Sequence, residues 1–326
     1  MKLKRVILIK MSGDDVVYLQ NKLKEFGFFN DVIDGFFGQN TLIAVTNFQR
    51  HVGIKADGTV GSLTWNKINN FGKEQKLNNG IPHNISYSDH NDLIIYDHLI
   101  DEYEYTKEIT NKNTIWLHHT AGGSRPEWSI NGREKDHLKD KMGRPIFDNN
   151  GNIQPLKVGT AYVVGRKSST TGDNLWDGKI LRAFDDKYWA YHLGINSNKS
   201  VELNSKSIAI EICNYGPLTL GKDGRFYNHV NKPLNDKEVV KLDKPFRGYE
   251  YFEKYTDAQL ESTRKLIIYL INKYNITLEG KIYNDKWFDY DDKWFTTGGI
   301  RSHGQVRRDK YDIFPQKEMI EMLNSL

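Results

Sequence analysis

The chain has 326 residues, 38% hydrophobic, 12% aromatic and 27% charged, which is a globular composition and more length than one compact domain usually holds. A formal net charge of +4 is too small for the dense Lys/Arg stripe of a nucleic-acid binder, and no stretch approaches the roughly 20 apolar residues of a membrane span, so neither partner is expected. The single cysteine, Cys213, excludes an intramolecular disulfide and a cysteine-rich metal cluster, and reads as a small buried hydrophobe.

At the N-terminus, Met1-Lys-Leu-Lys-Arg5 followed by Val6 to Ile9 imitates a secretion leader, but the apolar run stops at Lys10, short of the roughly 7 to 15 residues such a leader needs. The expectation is a first strand or lead-in on a chain made in the cytoplasm. Ser12-Gly-Asp-Asp15 then reads as a capping box opening a helix with Val16, Leu19, Leu23 and Phe26 on one face. An internal repeat follows: Asp34-Gly35-Phe-Phe-Gly38-Gln-Asn-Thr41 and Asp57-Gly58-Thr-Val-Gly61-Ser-Leu-Thr64. Each copy is a turn feeding a helix, with the second glycine expected in an unusual backbone conformation and the threonine in the first helical turn. Three short helices around Phe36, Val45, Phe48 and Trp65 would make a small domain over residues 1–68. Its nine Lys/Arg against six Asp/Glu suit an anionic surface.

Residues 69–90 are polar with Gly and Pro and read as a linker, and residues 91–326 as a second domain. Within it, Ile115–His119, Ala161–Val164, Ile180–Ala183 and Ser207–Ile212 read as strands. Thr256-Asp-Ala-Gln259 caps a long helix carrying Leu260, Leu266, Ile267 and Leu270 at helical spacing. The fold class implied is mixed α/β: a central mixed β-sheet flanked by helices, preceded by the small three-helix domain. Residues 216–255, rich in Gly, Lys, Asp and Asn, form an insertion expected as a lid or a substrate wall.

Two imidazoles and a carboxylate from distant parts of the chain can hold Zn²⁺ with a fourth position open, as catalytic sites do. The candidates are the doublet His118-His119 with His303 and Asp312. On a strand the doublet's side chains diverge, Ile115, Leu117 and His119 to one face and Trp116 and His118 to the other, so at most one reaches a shared metal. Alternation alone does not choose between them. Glu211 lies in an otherwise apolar strand, where an acidic side chain needs a reason to be. The stretch Lys286-Trp-Phe-Asp-Tyr-Asp-Asp-Lys-Trp-Phe295 is either a groove wall or a loop anchored by its aromatics.

Leu19-Gln20, Asp34-Gly-x-x-Gly38, Phe48-Gln49 and Asp57-Gly-x-x-Gly61-x-x-Thr64-Trp65 resemble the three-helix peptidoglycan-binding domain of many wall hydrolases. Thr114-Ile-Trp-Leu-His118-His119-Thr-Ala-Gly, Ala161-Tyr162, Tyr191-His192-Leu-Gly194, Ser207-Ile-Ala-Ile-Glu211 and His303 to Asp312 occur in the order of the zinc N-acetylmuramoyl-L-alanine amidases, a family that includes phage lysozyme-type amidases and peptidoglycan recognition proteins. That resemblance, over roughly residues 110–320, implies His118, His303 and Asp312 as Zn²⁺ ligands and Lys310 as a cation beside the reacting carbonyl. It implies Glu211 or Tyr162 as the proton-handling group, with His119 and His192 lining the substrate site. All three ligand positions are filled, which argues against a recognition protein that has lost catalysis. The implied setting is a monomeric phage endolysin acting on bacterial peptidoglycan after release by a holin-type membrane permeabiliser, with a bacterial autolysin as the alternative.

Overall fold

The computed structural model describes residues 7, 9–29, 31–52, 54–78, 85–87, 93–133, 146–147, 154–278 and 288–326, and divides the chain into two compact units, Met1–His83 and Asn84–Leu326. Residues 79–84 and 88–90 of the expected linker, residues 91–92, and the aromatic-stretch residues Lys286 and Trp287 lie outside the described residues.

The first unit contains α1 (Asp14–Glu25), α2 (Gln39–His51) and α3 (Ser62–Asn78). Its repeat has one cause, a buried glutamine in front of each turn. Gln20 donates to the Asp34 carboxylate at 2.8 Å and the Thr41 hydroxyl at 3.0 Å while accepting from the Gly35 amide at 2.9 Å. Gln49 treats Asp57, Thr64 and Gly58 the same way, at 3.2, 3.0 and 2.8 Å. Gly35 and Gly58, at φ 69° and 71°, are the left-handed positions; the second glycines, Gly38 and Gly61, instead accept the first bonds of α2 and α3 through their carbonyls. The helix α1 starts from Gly13 at φ 141° with no side-chain cap, so the expected capping box at Ser12 does not form. Phe37, not the 45% exposed Phe36, enters the core with Leu19, Val45, Phe48 and Trp65, because its amide and carbonyl are tied to Met11 and Lys10. Phe71 joins the same core edge-on to Phe26 and Phe48, and α3, which carries it, runs on to Asn78.

The second unit is built on a seven-stranded mixed sheet of order β1-β2-β5-β4-β6-β3-β11. The strands are β1 (Ile85–Tyr87), β2 (Ile94–Asp97), β3 (Thr114–His119), β4 (Tyr162–Val164), β5 (Ile180–Arg182), β6 (Ser207–Ile212) and β11 (Gly299–Ser302). The central run β4-β6-β3-β11 is parallel, and β4, β6 and β3 are buried along their length, as strands covered on both faces must be. One face packs against α6 (Asp257–Tyr274), whose Thr256-Gln259 capping box forms as expected and whose Leu266, Ile267 and Leu270 are fully buried. On the other face Trp116 clusters with Leu193, with Leu203 of α5 (Ser200–Ser205) and with Val306 of α7 (His303–Val306). The remaining helices are α4 (Pro126–Arg133) and α8 (Lys317–Asn324). The expected insertion contains two hairpins, β7 (Thr219–Leu220) with β8 (Phe226–Tyr227) and β9 (Val239–Phe246) with β10 (Tyr249–Glu253).

Candidate metal centre

The site lies where the parallel strands end. In the ladder, His118 of β3 sits beside Glu211 of β6, and β11 delivers its chain directly into His303 at the start of α7. Neighbouring residues of a parallel ladder share a face, so His118 and Glu211 project together. The segment after α7 returns Asp312, held by a 3.1 Å bond from the Gly304 amide to the Asp312 carbonyl. His118, His303 and Asp312, all buried, place one ligand atom each within 4.8 Å of one another.

Proton positions follow from two backbone carbonyls. The Leu193 carbonyl, 2.8 Å from His303 Nε2, accepts only, so that nitrogen carries hydrogen and Nδ1 presents its lone pair. Ser207 donates to the Asn204 carbonyl at 3.1 Å and therefore accepts from His192 Nε2 at 2.8 Å. His192 Nδ1 then accepts from His118 Nε2 at 3.1 Å, which turns the lone pair of His118 Nδ1 inward as well. The two Nδ1 atoms face each other at 3.0 Å, with Asp312 Oδ2 at 2.9 Å from His303 Nδ1 and 3.4 Å from His118 Nδ1.

Three acceptors that converge in this way form a donor set for a cation. Burial, reinforced by neighbouring His303, lowers the His118 pKa and disfavours a proton as that cation. Asp312, buried against both rings, supplies the carboxylate of the set. A tetrahedral ion with ligands at about 2.0–2.1 Å has donor separations of roughly 3.3–3.4 Å, close to those observed, so the residues fit Zn²⁺. His192 and Leu193 are the outer partners that hold the ligand rings in orientation.

A cavity of about 270 Å³ opens over this cage, lined by His118, His119, His192, Glu211, His303 and Asp312 together with Thr160, Lys310 and Tyr311. His119 points to the α6 face, as alternation requires, where its Nδ1 meets the Tyr255 hydroxyl at 3.2 Å. Burial drops its pKa to about 4, so it lines the cavity as a neutral ring and takes no part in the cage. Tyr162 must be withdrawn from the site. The register pairs Val163, not Tyr162, with Glu211, so the tyrosine points to the α6 face. There its hydroxyl donates to Asp186 at 2.9 Å in a cluster with Lys273 and Tyr274, and burial raises its pKa far above the ordinary phenol value. Cys213 is fully buried, with its thiol pKa pushed up by burial, and is no nucleophile. Phe288 is buried and Trp294 and Phe295 pack on the Trp116 cluster, so this part of the aromatic stretch is an anchored loop. Of the residues not singled out from sequence, Tyr311 lies inside the His303–Asp312 motif, whereas Thr160 carries no local signal.

Fold and cage define a class: an α/β protein with a two-histidine, one-carboxylate hydrolase-type centre at the C-terminal ends of parallel strands. Residues 109–313 match the family model described as N-acetylmuramoyl-L-alanine amidase, and residues 12–68 the one described as putative peptidoglycan binding domain. The chain belongs to the N-acetylmuramoyl-L-alanine amidase family and carries a peptidoglycan-binding domain at its N-terminal side. Among curated proteins it is similar to a spore cortex-lytic enzyme of Oceanobacillus iheyensis, 40% identical over 74 residues covering 21% of this chain and 27% of the relative. It is also similar to the N-acetylmuramoyl-L-alanine amidase CwlM of Mycobacterium tuberculosis, 37% identical over 73 residues, or 22% and 18% of the two chains. The match thus spans about a quarter or less of those relatives' length. Among solved structures, PlyL aligns over 70% of this chain and 96% of its own at 14% identity and a TM-score of 0.37.

Proposed function

We propose that this chain is a zinc-dependent peptidoglycan hydrolase that cuts the amide between N-acetylmuramic acid and L-alanine of the stem peptide, with its N-terminal domain as wall anchor. The observation that carries the reading is the convergence of three inward-facing acceptors, Glu211 and Lys310 on one cavity inside the amidase-matching segment. His118, His303 and Asp312 would hold the ion. When bound, Zn²⁺ supplies Lewis acidity, lowering the pKa of a water to about 7 and polarising an amide carbonyl. Glu211, on the same face as His118, accepts the proton of the attacking water and returns it to the departing L-alanine amine. Lys310, in the cavity wall, stabilises the negative charge that develops on the carbonyl oxygen. Neutral His119 and Thr160 shape the wall where the substrate lies.

The test is digestion of purified walls. Free L-alanine amino termini should appear without reducing sugar, stop on chelation and return with Zn²⁺. Reducing ends, or new termini within the stem peptide, would instead mean a glycosidase or a peptidase; binding without release would mean a recognition protein. Endolysin and autolysin settings share this chemistry. For Lys310→Ala the expected result is a loss of about 10² to 10³ in kcat with Zn²⁺ still bound, measured on a soluble muropeptide. An unchanged kcat would remove Lys310 from the mechanism.

A further inference from the structure

The insertion reaches the segment that carries two of the cage ligands. Its β9–β10 hairpin turns at Arg247-Gly248, both residues left-handed at φ 50° and 87°, a conformation that non-glycine residues adopt sparingly. The turn sends the Arg247 guanidinium into a ring of four backbone oxygens, three of them in that segment. Nη1 donates to the carbonyls of Arg307 at 3.0 Å and Arg308 at 2.5 Å, and Nη2 to those of Gly304 at 2.8 Å and Phe288 at 3.2 Å. Gly304 directly follows His303, and Arg307 and Arg308 lie between the two ligands. A β-carbon on Gly304 would stand 3.2 Å from the guanidinium and 3.3 Å from the Phe288 carbonyl, a tight fit that the glycine relieves.

The other end of the hairpin is fixed to the loop after β6. Glu253 accepts from the Tyr215 amide at 2.5 Å and from the buried Arg166 guanidinium, and its carbonyl accepts from Asn214 at 2.8 Å. Between these ends the hairpin leans on the same segment through Phe246 against Phe288 at 6.2 Å and Phe252 stacked on Phe314 at 4.4 Å. It therefore braces the end of the Glu211 strand against the ligand-bearing segment.

We propose that Arg247 is a positioning residue for the metal centre: its guanidinium fixes the backbone between residues 303 and 308, and through it the placement of His303 and Asp312. A guanidinium suits this task because it offers five donors in a rigid plane and stays charged in any protein environment. The inference rests on the cage being a Zn²⁺ site.

The test compares Arg247→Met, which keeps the aliphatic stem and loses the donors, with Arg247→Lys and with Lys241→Ala, which removes an exposed ion pair to Glu250 and a cation–π contact to Tyr251 on the same hairpin without touching the ligand-bearing segment. Zn²⁺ affinity is read by competition with a chromophoric chelator, alongside metal-free melting temperature and kcat and KM on a soluble muropeptide. Arg247→Met should bind Zn²⁺ about 10 to 100-fold more weakly and lose kcat with little change in KM, Arg247→Lys should recover part of both, and Lys241→Ala should match the parent. Parent-like Zn²⁺ affinity in folded Arg247→Met overturns the proposal. If that variant does not fold, Arg247→Lys decides: an affinity several-fold below the parent supports the clamp, and an unchanged one overturns it. A parent chain that binds no Zn²⁺ would sink the metal-centre reading itself, a distinguishable outcome.

Discussion

His303→Ala is expected to abolish both Zn²⁺ binding at stoichiometric concentrations and wall cleavage. His303 is the hub of the cage, with its Nδ1 within 3.0 Å of the ligand atoms of both His118 and Asp312. Structural zinc sites with four ligands bind with about 10–16 kcal/mol, or roughly 2.5–4 kcal/mol per ligand, so losing one ligand weakens affinity by about 10² to 10³. The substitution also strips the Leu193 carbonyl of its donor and leaves Asp312 buried beside a single imidazole. Metal content by mass spectrometry after dialysis, a Zn²⁺ competition titration and release of L-alanine termini together check this, with circular dichroism confirming the fold. A variant that keeps one Zn²⁺ per chain and cleaves at the parent rate contradicts the cage.

Most of this centre could be read from the chain because its parts obey local rules. Strand alternation separates His118 from His119, and the structure puts them on opposite faces, one in the cage and one beside Tyr255. The strand Ser207–Ile212 and the Thr256 cap follow from apolar runs and capping chemistry that need no tertiary information. What could not be read depends on register and reach. Tyr162 and Val163 look equally able to face Glu211 until the β4–β6 ladder is known, and a shift of one residue exchanges the faces. The short β11 opens on Gly299, the second of two positive-φ glycines, and has no periodicity to announce it. The Asn-rich segment after residue 68 has linker composition, yet it continues α3 and carries a buried aromatic, Phe71. Arg247 resembles any surface charge in a turn, because the four carbonyls it meets come from residues 41 to 61 positions away.

Glu211→Gln should separate chemistry from metal binding. The amide keeps the size of the carboxylate and leaves His118, His303 and Asp312 in place, so Zn²⁺ affinity should stay within a few-fold of the parent. A glutamine cannot accept the water's proton or return it to the leaving amine. General acid–base catalysis of this kind contributes about 10² to 10⁴, so kcat should fall by that factor while KM moves little. With Tyr162 turned to the α6 face and bound to Asp186, no tyrosine at that position can take over the role. The two variants therefore divide the site. His303→Ala loses metal and turnover together, whereas Glu211→Gln loses turnover alone. A Glu211→Gln variant that cleaves within threefold of the parent would assign the proton to solvent and leave Glu211 as a residue that only shapes the cavity.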